Sequence, residues 1–251
     1  MKLDNSESYQ DVREEKIRKG FTEHFRNCPI PDDDMLQNLG MFLSSKNLSR
    51  ILFLDHIYQQ IIDVPGSIME FGTRWGQVMS IFASLRGIYE PFYRHRKIIG
   101  FDTFTGFPGI SEQDNKEFRV IREGGLACTP NYSEYLERVM EYQEQDNPLP
   151  HIKKFEIRVG DAIAEIDKYL EEYPETIVAL AFFDLDLYEP TLKCLQAIKE
   201  HLTKGSLLVF DELTDHDSPG ETKALKSVFE LDEIRLKRYR YTSRVSYFVV
   251  E

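Results

Sequence analysis

Cysteine is scarce in this chain: Cys28, Cys128 and Cys194 are the only three in 251 residues, far apart and with no CxxC spacing. An odd, dispersed set argues against a disulfide scaffold and fits a reducing compartment. Long hydrophobic runs are also missing, and nothing approaches the roughly 20 apolar residues that a membrane helix needs. The opening stretch "MKLDNSESYQDVREEKIRKG" is too polar for a secretory signal, so a cytoplasmic protein without a membrane partner is expected. Positive charge is outweighed, with 31 Lys and Arg against 43 Asp and Glu and a net charge of −12. That balance argues against nucleic acid as a partner, because phosphates require a basic face, while a local basic pocket for an anionic ligand remains compatible with it. Repeats and low-complexity tracts are absent.

What is present is a regular alternation. After a polar stretch over 1–40 with an acidic turn "PDDD", Ile51, Leu54, Tyr58 and Ile61 recur at helical spacing until Pro65–Gly66. Then follow a strand "SIMEFG", a helix in "TRWGQVMSIFASLRGIY" and a strand "KIIGFD". Residues 103–150 break the rhythm, being long, polar and punctuated by Gly and Pro, as a functional lid would be. Beyond them come the strand "FEIRVGD", the helix "AIAEIDKYLEEY", the strand "IVALAFFDLD", the helix "PTLKCLQAIKEHL" and the strand "GSLLVFDE". A helix in "ETKALKSVFEL" and two strands in "EIRLKRYRYTSRVSYFVV" finish the chain. Strands alternating with helices predict a doubly wound α/β fold whose mostly parallel sheet closes with an antiparallel C-terminal strand pair. The expected organisation is an N-terminal arm and helical cover over 1–64, then one domain over 65–251 carrying the lid insertion 103–150.

In such sheets ligands bind beyond the carboxyl ends of the strands. "EFGTRWG" (70–76) is either a plain strand-to-helix turn or a place where Gly72 lets a ligand approach the backbone. Asp102 suits a ribose hydroxyl or an Asx-turn, and together the two features point to an adenosine-type ligand. In "VGDA", Asp161 can meet an adenine amino group, although capping the next helix accounts for an aspartate there on its own. The strongest cluster is Asp184, Asp186, Asp211 and Glu212, on two strand ends. Carboxylates so placed repel unless they share a proton or a cation, and hard oxygen ligands suit Mg²⁺. The competing account is helix capping plus solvated loop charge. "TDHDSPGETK" adds His216, Asp217 and Glu221, of which His216 is a minor candidate for a base or a ligand. Trp75 is expected to serve packing, and "RLKRYRYTSR" a solvated face.

"MEFGTRWGQ", "GFDTFTGFP", "GGLACTPNYSEYL", "DLDLYEPT" and "LLVFDEL", in this order, resemble the macrocin O-methyltransferase family. These are class I S-adenosylmethionine-dependent enzymes with a Rossmann-like fold, several of which methylate sugar hydroxyls of antibiotics. The likeness extends over roughly residues 45–250. It implies S-adenosyl-L-methionine as a cofactor, with Glu70, Gly72 and Trp75 at its methionine end, Asp102 and Thr103 at the ribose, Asp161 and Ala162 at the adenine, and Thr73 and Asp184 completing the set. It further implies Mg²⁺ held by Asp186, Asp211 and Glu212, where the family usually has aspartate at the last position. Asp186 is then the candidate general base, with His216 second. The expected acceptor is a small molecule, namely a sugar, a nucleotide sugar or a glycosylated natural product, and the resemblance makes a homo-oligomer possible, since the family often forms oligomers. Residues 1–64 and 103–150 would cover the substrate, with "GGLACTPNY" as a lid hinge.

The alternative is a metal-dependent glycosyltransferase using the DxD acids for a nucleotide sugar. It leaves "EFG…D" unexplained. A phosphatase would carry its acids on the first core strand, and a short-chain dehydrogenase would need a YxxxK after the fourth; neither pattern is met.

Overall fold

The computed structural model describes residues 12–251, so the first eleven residues of the expected N-terminal arm lie outside the described residues. The chain divides into two compact units, one up to Ile51 and one from Leu52 to Glu251. In the first, helix α1 (Val12–Arg26), the short helix α2 (Asp32–Met35) and a 3-10 turn (Leu36–Phe42) occupy the stretch read from the sequence as a polar arm. Phe42 packs edge-on against Phe25 and tilted against Phe21, which fastens the 3-10 turn to α1.

Helix α3 (Ser45–Gln59) leads into the second unit and buries Phe53, Leu54, Ile57 and Tyr58 on one face. The strands are β1 (Ser67–Phe71), β2 (Ile98–Asp102), β3 (Phe155–Val159), β4 (Val178–Phe183), β5 (Leu202–Phe210), β6 (Lys237–Arg238) and β7 (Ser246–Val249). They form one sheet in the order β3-β2-β1-β4-β5-β7-β6. The first five are mutually parallel, and β7 runs antiparallel to β5 and to β6, as the alternation predicts. Helices α4 (Gln77–Tyr89), α5 (Tyr132–Asp146), α6 (Ala162–Glu172), α7 (Tyr188–Ile198) and α8 (Gly220–Val228) flank it. Two cores result, one against α3, α4 and α5 and one against α6, α7 and α8. No helix among the described residues is long and apolar enough to cross a membrane.

The sheet reverses its winding direction between β1 and β4, which places the ligand edge at their carboxyl ends. Just beneath that edge, Phe101, Phe71, Phe183, Phe210 and Phe248 stack side by side across five strands, with neighbouring rings 4.9–6.5 Å apart. The residues that follow four of them are Asp102, Gly72, Asp184 and Asp211. An apolar floor therefore carries a row of polar groups at the rim.

Two elements differ from expectation. Helix α4 starts at Gln77 rather than near Thr73, because Arg74 (φ 46°) and Gly76 (φ 73°) hold left-handed conformations that no helix tolerates. Within 103–150, residues 132–146 form the amphipathic helix α5, with Leu136, Met140 and Glu144 buried at one-turn spacing.

Candidate active site

The first wall of the site is the β1 turn. Gly72 has φ 93°, and a Cβ there would lie 1.9 Å from the Asp184 carbonyl oxygen, so only glycine lets β1 and β4 leave the sheet this close together. Glu70 and Thr73 are buried on either side of it, while Trp75 is 37% exposed and rests edge-on against Tyr132.

Asp102 forms the second wall. Its Oδ2 accepts from the Arg74 amide at 2.7 Å and its Oδ1 from the Phe104 amide at 2.6 Å, tying the β1 turn to the β2 turn. Burial raises its pKa above the ordinary 3.8, and these two amides pull it partly back. Thr103 Oγ1 donates to the Gly106 carbonyl and shapes the same turn. Asp161 caps α6 by accepting from the Ile163 amide at 3.1 Å.

A cleft runs along this edge. Gly72, Asp102, Thr103, Asp161, Ala162 and Asp184 of the expected cofactor set line it, whereas Glu70, Thr73 and Trp75 do not. Arg74, Phe107, Pro108, Gly125 and Leu126 also line it; none of them was assigned to the cofactor site in sequence, although Gly125 and Leu126 belong to the expected lid hinge. The part of 103–150 that reaches the cleft is thus its first half. Carboxylates among apolar walls match an adenosine, whose hydroxyls and amino group donate while its base needs a dry surface.

The acids occupy the far end. Asp186 does not continue the strand alternation expected of "DLD". β4 stops at Phe183, Asp186 takes φ 60°, and the Leu187 amide donates to the Leu185 carbonyl at 2.6 Å in a tight turn. The turn delivers the Asp186 carboxyl to Glu212, within hydrogen-bonding reach, and desolvation followed by the Glu212 carboxylate raises the Asp186 pKa well above 3.8. Glu212 is buried, with Oε1 paired to Arg244 at 2.5 Å and Oε2 left without a hydrogen-bond donor. Arg244 also bonds Asp215 at 3.2 Å, so this cation of the "RLKRYRYTSR" stretch serves the acids rather than a solvated face.

A buried carboxylate oxygen lacking a donor, abutting a second carboxylate, fits a divalent cation or a shared proton. Asp186 and Glu212 are therefore brought together. Asp211 precedes Glu212 directly after β5, and among the described residues no three His, Cys, Asp or Glu side chains are gathered as a metal site. His216 is exposed in the loop between β5 and α8. Asp114 and Glu221 fasten these turns to other elements, and only the second was noticed in sequence, without a role.

A mostly parallel sheet with this strand order, a cleft at the switch point and acids beside it are those of a class I methyltransferase. No family model matches the chain, and no curated protein matches it in sequence. Among solved structures it is similar to CalS11, a calicheamicin methyltransferase, with 38% identity and a TM-score of 0.91 over 99% of this chain and 96% of that one. The apo structure of CalS11, described as a TDP-rhamnose 3'-O-methyltransferase of calicheamicin biosynthesis, matches at 36% identity and a TM-score of 0.85 over 96% of each chain. The O-methyltransferase NovP shares the fold at 19% identity and a TM-score of 0.61, over 81% of this chain and 80% of that one. The chain belongs to the family of S-adenosylmethionine-dependent O-methyltransferases that includes CalS11.

Proposed function

We propose that the protein methylates a hydroxyl of a sugar, carried by a nucleotide or by a natural product, in the cytoplasm. The observation that carries this is the place of Asp186 in the lining of the cleft formed with Gly72, Asp102 and Asp161, beside the buried carboxylate of Glu212 that helps raise its pKa. The activity of CalS11 as a TDP-rhamnose 3'-O-methyltransferase supports a nucleotide sugar, and the macrocin-like motifs support a sugar hydroxyl in general.

In the proposed reaction the acceptor oxygen attacks the methyl carbon, the carbon–sulfur bond breaks, and S-adenosylhomocysteine leaves. The hydroxyl proton passes to Asp186, with the imidazole of His216 as the second candidate. A sulfonium methyl is already reactive, so alignment of the oxygen supplies most of the acceleration. Asp102 and Thr103 would hold the ribose and Asp161 and Ala162 the adenine, with Glu70, Thr73 and Trp75 supporting the methionine end. Mg²⁺, if bound, would be held by Asp186 and Glu212 with Asp211 nearby, and it would orient neighbouring hydroxyls and lower the pKa of the attacking one.

The test is calorimetry with S-adenosylhomocysteine on the wild type and Asp102→Ala, followed by incubation with S-adenosylmethionine and TDP-rhamnose. Saturable binding weakened in the variant and a product heavier by one methylene are expected. A wild type that does not bind S-adenosylhomocysteine would sink the proposal. Mg²⁺ is tested separately, by a binding heat that Asp186→Ala abolishes.

A further inference from the structure

Glu221 is fully buried in the first turn of α8, yet it faces neither core. Its carboxylate spans two loops. Oε1 accepts from the Leu185 amide at 3.1 Å and the Asp186 amide at 3.4 Å, while Oε2 accepts from the Glu212 amide at 3.2 Å. One side chain therefore holds both backbone segments that carry the facing acids.

The neighbouring contacts leave this bridge little freedom. A Cβ on Gly220 would lie 2.5 Å from the Tyr188 nitrogen and 2.6 Å from the Asp186 carbonyl oxygen, so the start of α8 rests directly on the Asp186 turn. That turn is strained, since a non-glycine residue at φ 60° inside a two-residue hydrogen bond persists only where its surroundings enforce it. The amides of Leu185 and Asp186 have no strand to pair with there, and Glu221 supplies their acceptor.

We propose that Glu221 is a positioning residue for methyl transfer, fixing the separation and orientation of Asp186 and Glu212 without touching cofactor or acceptor. The inference rests on the function proposed above, since it assumes that those two acids act on the acceptor. A carboxylate has two equivalent acceptor edges and can serve both turns at once. A glutamine has one, so Glu221→Gln must release either the Asp186 turn or the Glu212 turn. Burial, followed by the carboxylates of Asp184, Glu212 and Asp211, raises the Glu221 pKa well above its ordinary value, so a neutral amide at this position relieves an unfavourable charge and favours a folded variant.

The experiment uses the full chain as wild type, Glu221→Gln and Glu221→Asp, the last keeping the charge but shortening the reach. Amide hydrogen exchange is followed at Leu185, Asp186 and Glu212. S-adenosylhomocysteine affinity is measured by calorimetry, and kcat and KM are measured with S-adenosylmethionine and TDP-rhamnose. The expected result is faster exchange at one or both turns, S-adenosylhomocysteine affinity within about threefold of wild type, and a kcat lowered about 100-fold, the scale of a misplaced catalytic group. Either variant folding with kcat within about threefold of wild type overturns the inference. So does a parallel loss of cofactor affinity and kcat, or failure of both variants to fold, because the carboxylate would then support the fold and not the geometry. If the wild type transfers no methyl group, the proposed function fails instead, while the exchange data still report whether Glu221 holds the two turns.

Discussion

The Tyr188 amide donates to Asp114 Oδ1 at 2.7 Å, joining residues 74 apart in sequence. Tyr188 begins α7, whose own N-cap, Leu187, has no side chain able to cap it. Asp114 lies beyond the first residues of the cleft-covering segment, and its other oxygen accepts from the Ser111 amide and hydroxyl. Lys223 of α8 adds a bond to the Gln113 carbonyl. The covering segment is thus pinned to the Asp186 turn by a helix cap from outside the helix. Asp114→Ala is expected to lower stability by about 1 kcal/mol, the usual value of a cap, and to weaken S-adenosylhomocysteine binding severalfold. Asp114→Asn, which keeps the acceptor, should recover most of both, as urea unfolding and calorimetry would read.

Asp102 gives two pH dependences of opposite sign. Its folded pKa is raised, so its contribution to the stability of the free protein is complete below the unfolded value. That contribution is lost as pH rises through the folded value. In the proposed function Asp102 accepts from the ribose in its charged form, so affinity should fall as pH drops through the raised value. Asp102→Asn is expected to flatten both profiles and to weaken S-adenosylhomocysteine binding at neutral pH about tenfold. Calorimetry and thermal unfolding across the acidic range check both signs.

Gly72→Ala tests the close approach of β1 to β4. Alanine at a positive φ destabilises by more than about 1 kcal/mol even without a clash, and here its Cβ would also meet the Asp184 carbonyl at 1.9 Å. Loss of S-adenosylhomocysteine binding in a protein of lowered Tm is the expected outcome.

Glu144 serves the fold alone. Both of its oxygens accept from Arg86 Nη2 at 2.9 Å, and it pairs with Lys154 at 2.5 Å, all three side chains being buried. Removing one partner strands the others, so Glu144→Ala should cost about 3–5 kcal/mol in urea unfolding. Cofactor affinity of the folded fraction is expected to stay unchanged.

Glu144 also shows where sequence reading stops. The strands were legible because their apolar runs end abruptly in Gly or Asp, and the acids at those ends marked the ligand edge without any tertiary information. α5 was hidden because "YSEYLERVMEYQEQD" is mostly polar, and its third inward position is a glutamate whose partners, Arg86 and Lys154, lie elsewhere in the chain. Arg244 was read as solvated for the same reason: the carboxylates that claim it lie on the loop after β5. The left-handed turn at Asp186 left no local signature, so "DLD" looked like strand. Glu221 was visible as an acid, but nothing local shows that its bond partners are three backbone amides.

The strand order β5-β7-β6 has a bearing on how the protein is made. Ser246–Val249 emerges from the ribosome after every other strand, yet it takes an internal place, pairing β5 on one side and β6 on the other. Until then Leu207–Phe210 presents an open, apolar backbone edge to other nascent chains. Arg244 precedes Ser246 by only two residues, so sealing of the edge and neutralisation of Glu212 follow one another directly along the chain. Messages truncated shortly before this point would yield chains that can shape the cofactor cleft but aggregate through β5.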